Sequence, residues 1–200
     1  MEPLRIALNL ANTELVTGHD SDGSPIGPAP EMACRVAAAV GRTPQWVEYA
    51  LPSHIVAAAP DDEWDICFIA ADPARAEVMD FTDPWTRLEV CFAAATAADL
   101  DAFNPASGRI ACLEGGAYTL WLERQMPSAT LVRCGSFAES VDAALDGRAD
   151  VVIGVRQFFT DLDLVVSDDT VTTVDQAIGV NLTVDDGLSS QVMSFIRAED

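Results

Sequence analysis

The 200-residue sequence contains no lysine: all eleven of its basic side chains are arginine, set against 32 acids for a net charge of −21. Such a surface repels nucleic acid and anionic membranes, because sequence-independent affinity for both comes from lysine and arginine. Small anions are also repelled at long range. Any anion site must therefore rely on local arginines and backbone amides where the wider field is screened. The acidity fits a salty habitat and fits a generic solvated surface equally well. With only His19 and His54, and no Cys-x-x-Cys or mixed His/Cys cluster, the chain lacks the ligand spacing of a structural zinc site. Five cysteines, Cys34, Cys67, Cys91, Cys112 and Cys134, are odd in number, widely spaced and mostly inside apolar runs, so they read as buried small hydrophobes. No apolar stretch is long enough to span a bilayer, and Met1-Glu2-Pro3-Leu4-Arg5 has neither the basic nor the apolar region of a secretory leader. The expectation is a chain without membrane insertion, cytoplasmic as written and periplasmic if it is a mature form. Five thiols favour the reducing compartment.

Half of the residues are hydrophobic, enough for a sizeable core in one large or two small domains. Strands and helices alternate along the chain. A strand over Arg5 to Asn9 precedes an alanine-rich helix over Pro30 to Val40 that Gly41 ends, and a strand over Gln45 to Tyr49. A helix near Ser53 to Ala59 leads to a strand from Asp65. Leu88 to Ala94 reads as a long strand leaving a first lobe, and Ala177 to Leu182 as its return. Between them the pattern predicts strands at Arg109 to Leu113, Leu131 to Cys134 and Val151 to Val155, with helices at Tyr118 to Gln125 and Phe137 to Leu145. Alternation of this kind builds parallel sheets whose ligands lie beyond the strand carboxyl ends.

One stretch carries the most chemistry. In Trp64-Asp65-Ile66-Cys67-Phe68-Ile69-Ala70-Ala71-Asp72-Pro73-Ala74-Arg75, an apolar run of the kind buried on both faces ends at a tight turn. Asp72 suits the N-cap and Pro73 the first turn of a following helix, with Arg75 one step further. An arginine beside free helix amides offers a planar fork of donors that a carboxylate or phosphate meets with two charge-assisted bonds. Pairing with Asp72, Glu77 or Asp80 at the surface explains the same residues without function. Gly115-Gly116-Ala117-Tyr118 similarly ends a strand and opens a helix, so the Ala117 and Tyr118 amides face an incoming anion, or the glycines form a plain turn.

Asp80-Phe81-Thr82-Asp83-Pro84-Trp85 closely resembles the Asp-Phe-Ser-x-Pro-Tyr motif of the periplasmic solute-binding proteins of the polar amino-acid type, family 3. Leu4-Arg5-Ile6-Ala7-Leu8 is similar to that family's first strand, and Asp22-Gly23-Ser24-Pro25-Ile26-Gly27 to its hairpin turn. Gly108 to Tyr118 resembles the strand and glycine turn opening its second lobe, and Ala149-Asp150-Val151-Val152-Ile153-Gly154 a later strand. The resemblance, in the correct order over nearly the whole chain, implies an α/β periplasmic-binding-protein type II-like fold. Two lobes, 1–88 with 177–200 and 89–176, would each be a mostly parallel sheet flanked by helices, joined by two hinge strands. The chain is short for that class, with room for one helix after Asp185.

The resemblance also implies roles. Arg75 takes the place of the arginine that clamps the ligand carboxylate, and Gly116 with the Ala117 and Tyr118 amides completes the carboxylate site across an interlobe cleft. The chain departs at two points. Ala70-Ala71-Asp72 replaces a Gly-x-Thr turn, leaving the ligand contact near Ala70 open. The aspartate that holds the ligand ammonium about five residues after Asp150 is absent, and Val155, Arg156 and Gln157 stand there instead. Either Asp72 takes over the ammonium, or the ligand is a di-acid gripped by Arg75 and Arg156. Arg156 as a solvated rim residue is the third reading. Asn12 and Asn9 follow the first strand as possible donors or turn formers, Glu31 suits a helix start, Tyr118 and Trp121 could wall the cleft, and Gln176 lies beside the return crossing. The expectation is a cofactor-free, metal-free monomer or dimer that closes on a small anionic or zwitterionic solute, with an ABC transporter permease as a partner. A lyase or dehydratase on the same scaffold, using Asp72, Glu31 or His19, and a ligand-sensing domain are the alternatives.

Overall fold

A computed structural model describes residues 2–199. The chain forms two compact units, Met1–Thr86 with Asp175–Asp200, and Arg87–Val174. In chain order the first unit contains β1 (Pro3–Asn9), β2 (Gly18–His19), β3 (Pro25–Ile26), α1 (Pro28–Ala39), β4 (Thr43–Tyr49), α2 (Pro52–Ala58), β5 (Ile66–Ala70) and β6 (Met79–Phe81). The chain then runs through β7 (Thr86–Ala94), α3 (Ala97–Ala102), β8 (Arg109–Leu113), α4 (Ala117–Gln125), β9 (Thr130–Cys134), α5 (Phe137–Leu145), β10 (Val151–Val155) and β11 (Val165–Val166). It returns by β12 (Thr172–Asn181) and ends in α6 (Asp186–Glu199).

In the first unit β1 pairs in parallel with β4 on one side and β5 on the other, aligning Leu8 with Phe68. Residues of β12 close the other edge of β5 in antiparallel fashion, opposing Gln176 to Ala70 and Val180 to Ile66, and β6 pairs with the end of β12. Strand alternation sends Leu4, Ile6 and Leu8 to one face, where α1 and α6 supply Ala33, Val36, Leu188, Val192 and Ile196. Ala7, Cys67 and Ile69 point to the other face, where Ile55 and Ala58 of α2 pack with Trp64 and Met79. Burial on both faces is why β5 reads as a continuous apolar run. Each fully buried Ile or Leu contributes about 1.5–3 kcal/mol.

The second unit repeats this logic. β8 pairs in parallel with β9 and β10, while β7 runs antiparallel to β10 and β11. Helix α5 packs Ala143 and Ala144 against Ala111, Val152 and Cys134. Ser136 caps it by accepting the Glu139 amide at 3.1 Å, and Glu139 reaches back to the Gly135 amide at 2.8 Å.

Both units carry the same staple at the amino ends of their parallel strands. In the first, the Arg5 amide donates to Asp65 Oδ2 at 2.8 Å and its guanidinium Nη2 to Asp65 Oδ1 at 2.5 Å. In the second, the Arg109 amide donates to Asp150 Oδ2 at 2.8 Å and Nη2 to Asp150 Oδ1 at 2.5 Å. Each aspartate amide donates back to the arginine carbonyl at 2.9 Å.

The structure differs from the sequence reading at three places. Pro73–Arg75 forms one 3-10 turn instead of the start of an α-helix, because the chain must turn again to enter β6 at Met79. The short helix α3, capped by Thr96 accepting the Asp99 amide at 3.2 Å, has no buried residue and so left no apolar periodicity to read. Cys34 is exposed on α1, unlike the other four cysteines. The hairpin of β2 and β3 is held by Asp20, whose Oδ1 accepts the Asp22 and Ser24 amides at 2.9 Å. Gly27 follows it at φ 127°, and a Cβ there would lie 2.7 Å from the Leu15 carbonyl oxygen.

Candidate functional site

Ala70, Asp72 and Arg75 come together at the carboxyl end of β5. Asp72 caps the 3-10 turn, its Oδ1 accepting the Ala74 amide at 2.9 Å. The arginine side chain folds back toward the strand that precedes it, so that Nη1 donates to the Ala70 carbonyl at 2.6 Å. Only 3% of Arg75 is exposed. Burial lowers its pKa to about 10, the Asp72 charge opposes the fall, and the guanidinium stays cationic at neutral pH. The sequence reading missed the neighbour on its other flank. Cys67 is buried beside the guanidinium, and burial pushes its thiol up to about 12 although the Arg75 charge pulls the other way. Cys67 lies on the strand face that Ile69 shares, so period-2 alternation could have found it.

Asn12 lies in the loop that leaves the carboxyl end of β1. Its amide donates to the Asn9 carbonyl at 3.2 Å, and its carbonyl accepts from Leu15 and Val16 at 3.1 and 2.9 Å. The residue is 8% exposed, and its side-chain Oδ1 has no partner among the described residues. Trp85 packs edge-on against Phe68 with ring centroids 5.9 Å apart, and its Nε1 is likewise unpartnered among the described residues. The Trp85 amide donates to the Gln176 carbonyl at 3.0 Å, and Gln176 is buried against Ala70. His19 and Glu48 form an exposed pair at 2.8 Å, and Glu31 is exposed in the first turn of α1.

In the second unit, Gly116 is the N-cap of α4 and no side chain caps that end. A Cβ on Gly116 would lie 3.1 Å from the Leu113 carbonyl oxygen, tighter than ordinary contact. The Tyr118 ring turns into the unit: the residue is 5% exposed, and burial pushes its phenol pKa up. Its hydroxyl has no partner among the described residues. Trp121 is half-buried.

Arg156 is held structurally. Nε pairs with Glu89 at 3.1 Å, Nη1 donates to the Ser167 carbonyl at 2.8 Å, and Nη2 donates to the Asp168 carbonyl at 3.2 Å. Its fork of donors fastens the 167–170 loop. Gln157 is exposed.

The carboxyls with shifted acidity, Asp62, Asp146 and Asp150, are all lowered by hydrogen bonds from arginine, the direction opposite to that of a general acid working near neutrality. Among the described residues no group of three His, Cys, Asp or Glu side chains is placed to hold a metal ion, and no helix is long and apolar enough to cross a membrane.

No protein-family profile matches the chain, and no curated protein matches it in sequence. Solved structures do. A single-residue variant of arginine-bound ArgBP from T. maritima is 18% identical with a TM-score of 0.81, over 98% of this chain and 95% of that one. A periplasmic His/Glu/Gln/Arg/opine family-binding protein from Silicibacter pomeroyi, in complex with lysine, is 18% identical with a TM-score of 0.79, over 98% and 89%. An amino acid ABC transporter substrate-binding protein from Streptococcus pneumoniae, bound to L-arginine, is 17% identical with a TM-score of 0.78, over 98% and 88%. The chain has the fold of these amino-acid-binding proteins.

Proposed function

We propose that this chain is a solute-binding protein of the amino-acid type that closes on a small carboxylate-bearing ligand. Arg75 of the first unit holds the carboxylate. The observation that carries the reading is Arg75 itself, a desolvated guanidinium pinned by Ala70 at a strand end. A carboxylate meeting a pre-oriented, dehydrated guanidinium displaces little water and gains charge-assisted attraction. The neighbours' bound amino acids support this ligand class, and the transporter role of one of them supports an ABC permease as partner and an extracytoplasmic place of action.

A thermal-shift screen of amino acids, dicarboxylates and aromatic acids tests it with wild type and Arg75→Ala. A ligand at about 100 times its Kd stabilises the native state by about 2.7 kcal/mol. For a chain of this size that is a rise of about 5–10 °C. The shift should vanish in Arg75→Ala. A wild type that no carboxylate stabilises, or a shift that survives the substitution, refutes the clamp.

A further inference from the structure

Helix α3 buries none of its residues, although one of its faces borders apolar side chains. A cavity of about 540 Å³ lies there, wholly within the second unit and within the size range of small-molecule sites. Its apolar lining is Phe92 of β7, Phe103, Leu100 of α3 and the valines of β11. Phe92 and Phe103 meet edge to face with centroids 5.0 Å apart, and Phe103 packs over Gly108, where a Cβ would not fit. The two rings are thereby held in place. Leu100 stays half-buried and Val165 is 39% exposed, so apolar side chains line the space without closing it. An apolar body of matching size would recover the transfer free energy they leave unused.

Charge decides which body fits. Asp101, Asp168 and Asp169 border the same cavity and are exposed, and no basic side chain is among the described residues that line it. Arg156 reaches the same loop, but it donates to the carbonyls of Ser167 and Asp168, to Thr170 and to Glu89. Aromatic rings favour the same sign as the carboxylates, since their faces attract organic cations. The net charge of −21 adds a long-range field that draws cations in and turns anions away.

We infer that this cavity is a second binding site, for an organic monocation with a compact aromatic or apolar body. It shares no residue with the turn that carries Arg75 or with the start of α4.

The test is calorimetric titration at low ionic strength with phenethylammonium, the neutral 2-phenylethanol and the bodiless methylammonium. None of them carries a carboxylate, so Arg75 is not engaged and the solute-binding reading is untouched by the result. Wild type should bind phenethylammonium about tenfold or more tighter than either of the others. Replacing Asp101, Asp168 and Asp169 together by Asn should weaken it about tenfold, the sum of three part-exposed ion pairs. Removing the same charge in the first unit, by Asp22→Asn, Asp61→Asn and Glu77→Gln, should change affinity by no more than about twofold. Leu100→Trp, which fills the cavity from α3, should abolish binding. The inference fails if wild type shows no saturable binding of phenethylammonium, if 2-phenylethanol binds as tightly, if both triple variants weaken binding alike, or if Leu100→Trp binds like wild type.

Discussion

Asn181→Asp replaces one atom and should unfold much of the margin that holds the return segment in the first unit. Asn181 is 2% exposed, and its Nδ2 donates at 3.0 Å to two carbonyls far away in sequence, those of Ala59 and Trp64, while Oδ1 accepts the Thr183 amide at 3.1 Å. The substitution keeps shape and volume but turns a double donor into an oxygen facing two oxygens. Two lost bonds, two repulsive contacts and a partly desolvated charge together cost about 3–5 kcal/mol. At about 2–4 °C per kcal/mol for a chain of this length, the melting temperature should fall by about 6–20 °C. Direction with pH separates this cause from a packing defect. Burial and the two carbonyl dipoles favour the neutral acid, so the introduced carboxyl has a folded pKa above its ordinary value of about 3.9. A raised folded pKa means stability present at low pH and lost as pH rises through it. Melting curves of variant and wild type should therefore differ most near about pH 7 and draw together as pH falls toward about 4. A deficit that does not change over that interval, or a total below about 1 kcal/mol, would refute the electrostatic account.

Three further outcomes follow from the geometry. Gly179→Ala places a Cβ 2.6 Å from Cys67 Sγ and 2.7 Å from Met79 Sδ, so it should cost about 1–3 kcal/mol by denaturant titration, and shortening Met79 in the same chain should recover part of the loss. Asp150→Asn removes a carboxylate whose pKa the Arg109 side chain lowers; the pair is part-exposed, so the deficit should be at most about 1 kcal/mol at neutral pH, begin to shrink as pH falls below about 4 and be gone only below the lowered folded pKa, where the wild-type carboxyl is protonated in the folded state too. With a net charge of −21, raising NaCl from about 0.05 M to about 1 M should raise the melting temperature, and an unchanged value would show that self-repulsion does not limit stability.

Much of the fold was readable because its signals are local. Ile66 to Ala70 and Val151 to Val155 are buried on both faces and appear as unbroken apolar runs, and Asp72 with Pro73 announces a capped turn. Helix α3 escaped because it buries no residue and its start is marked only by the polar cap of Thr96 and Asp99. The site was legible in type more than in detail. Residue order located Arg75 on the turn, but whether its side chain points outward or folds against Ala70 depends on packing around Cys67 that lies eight residues upstream. Arg156 shows the same limit: its partners Glu89 and Ser167 lie 67 and 11 residues away, so only the folded chain reveals that its donors are engaged.

The paired staples of Arg5 with Asp65 and Arg109 with Asp150 lie at the amino ends of the parallel strands, whereas Asn12, Arg75 and the start of α4 follow the carboxyl ends. On the proposed reading, cohesion and recognition occupy opposite poles of each sheet. Side chains at the recognition pole can be exchanged, by selection or by design, to retune what is captured while the opposite pole keeps each unit folded. The same separation makes the Arg109–Asp150 staple a natural reporter: a substitution that alters capture but leaves acid unfolding at Asp150 untouched has changed selectivity alone.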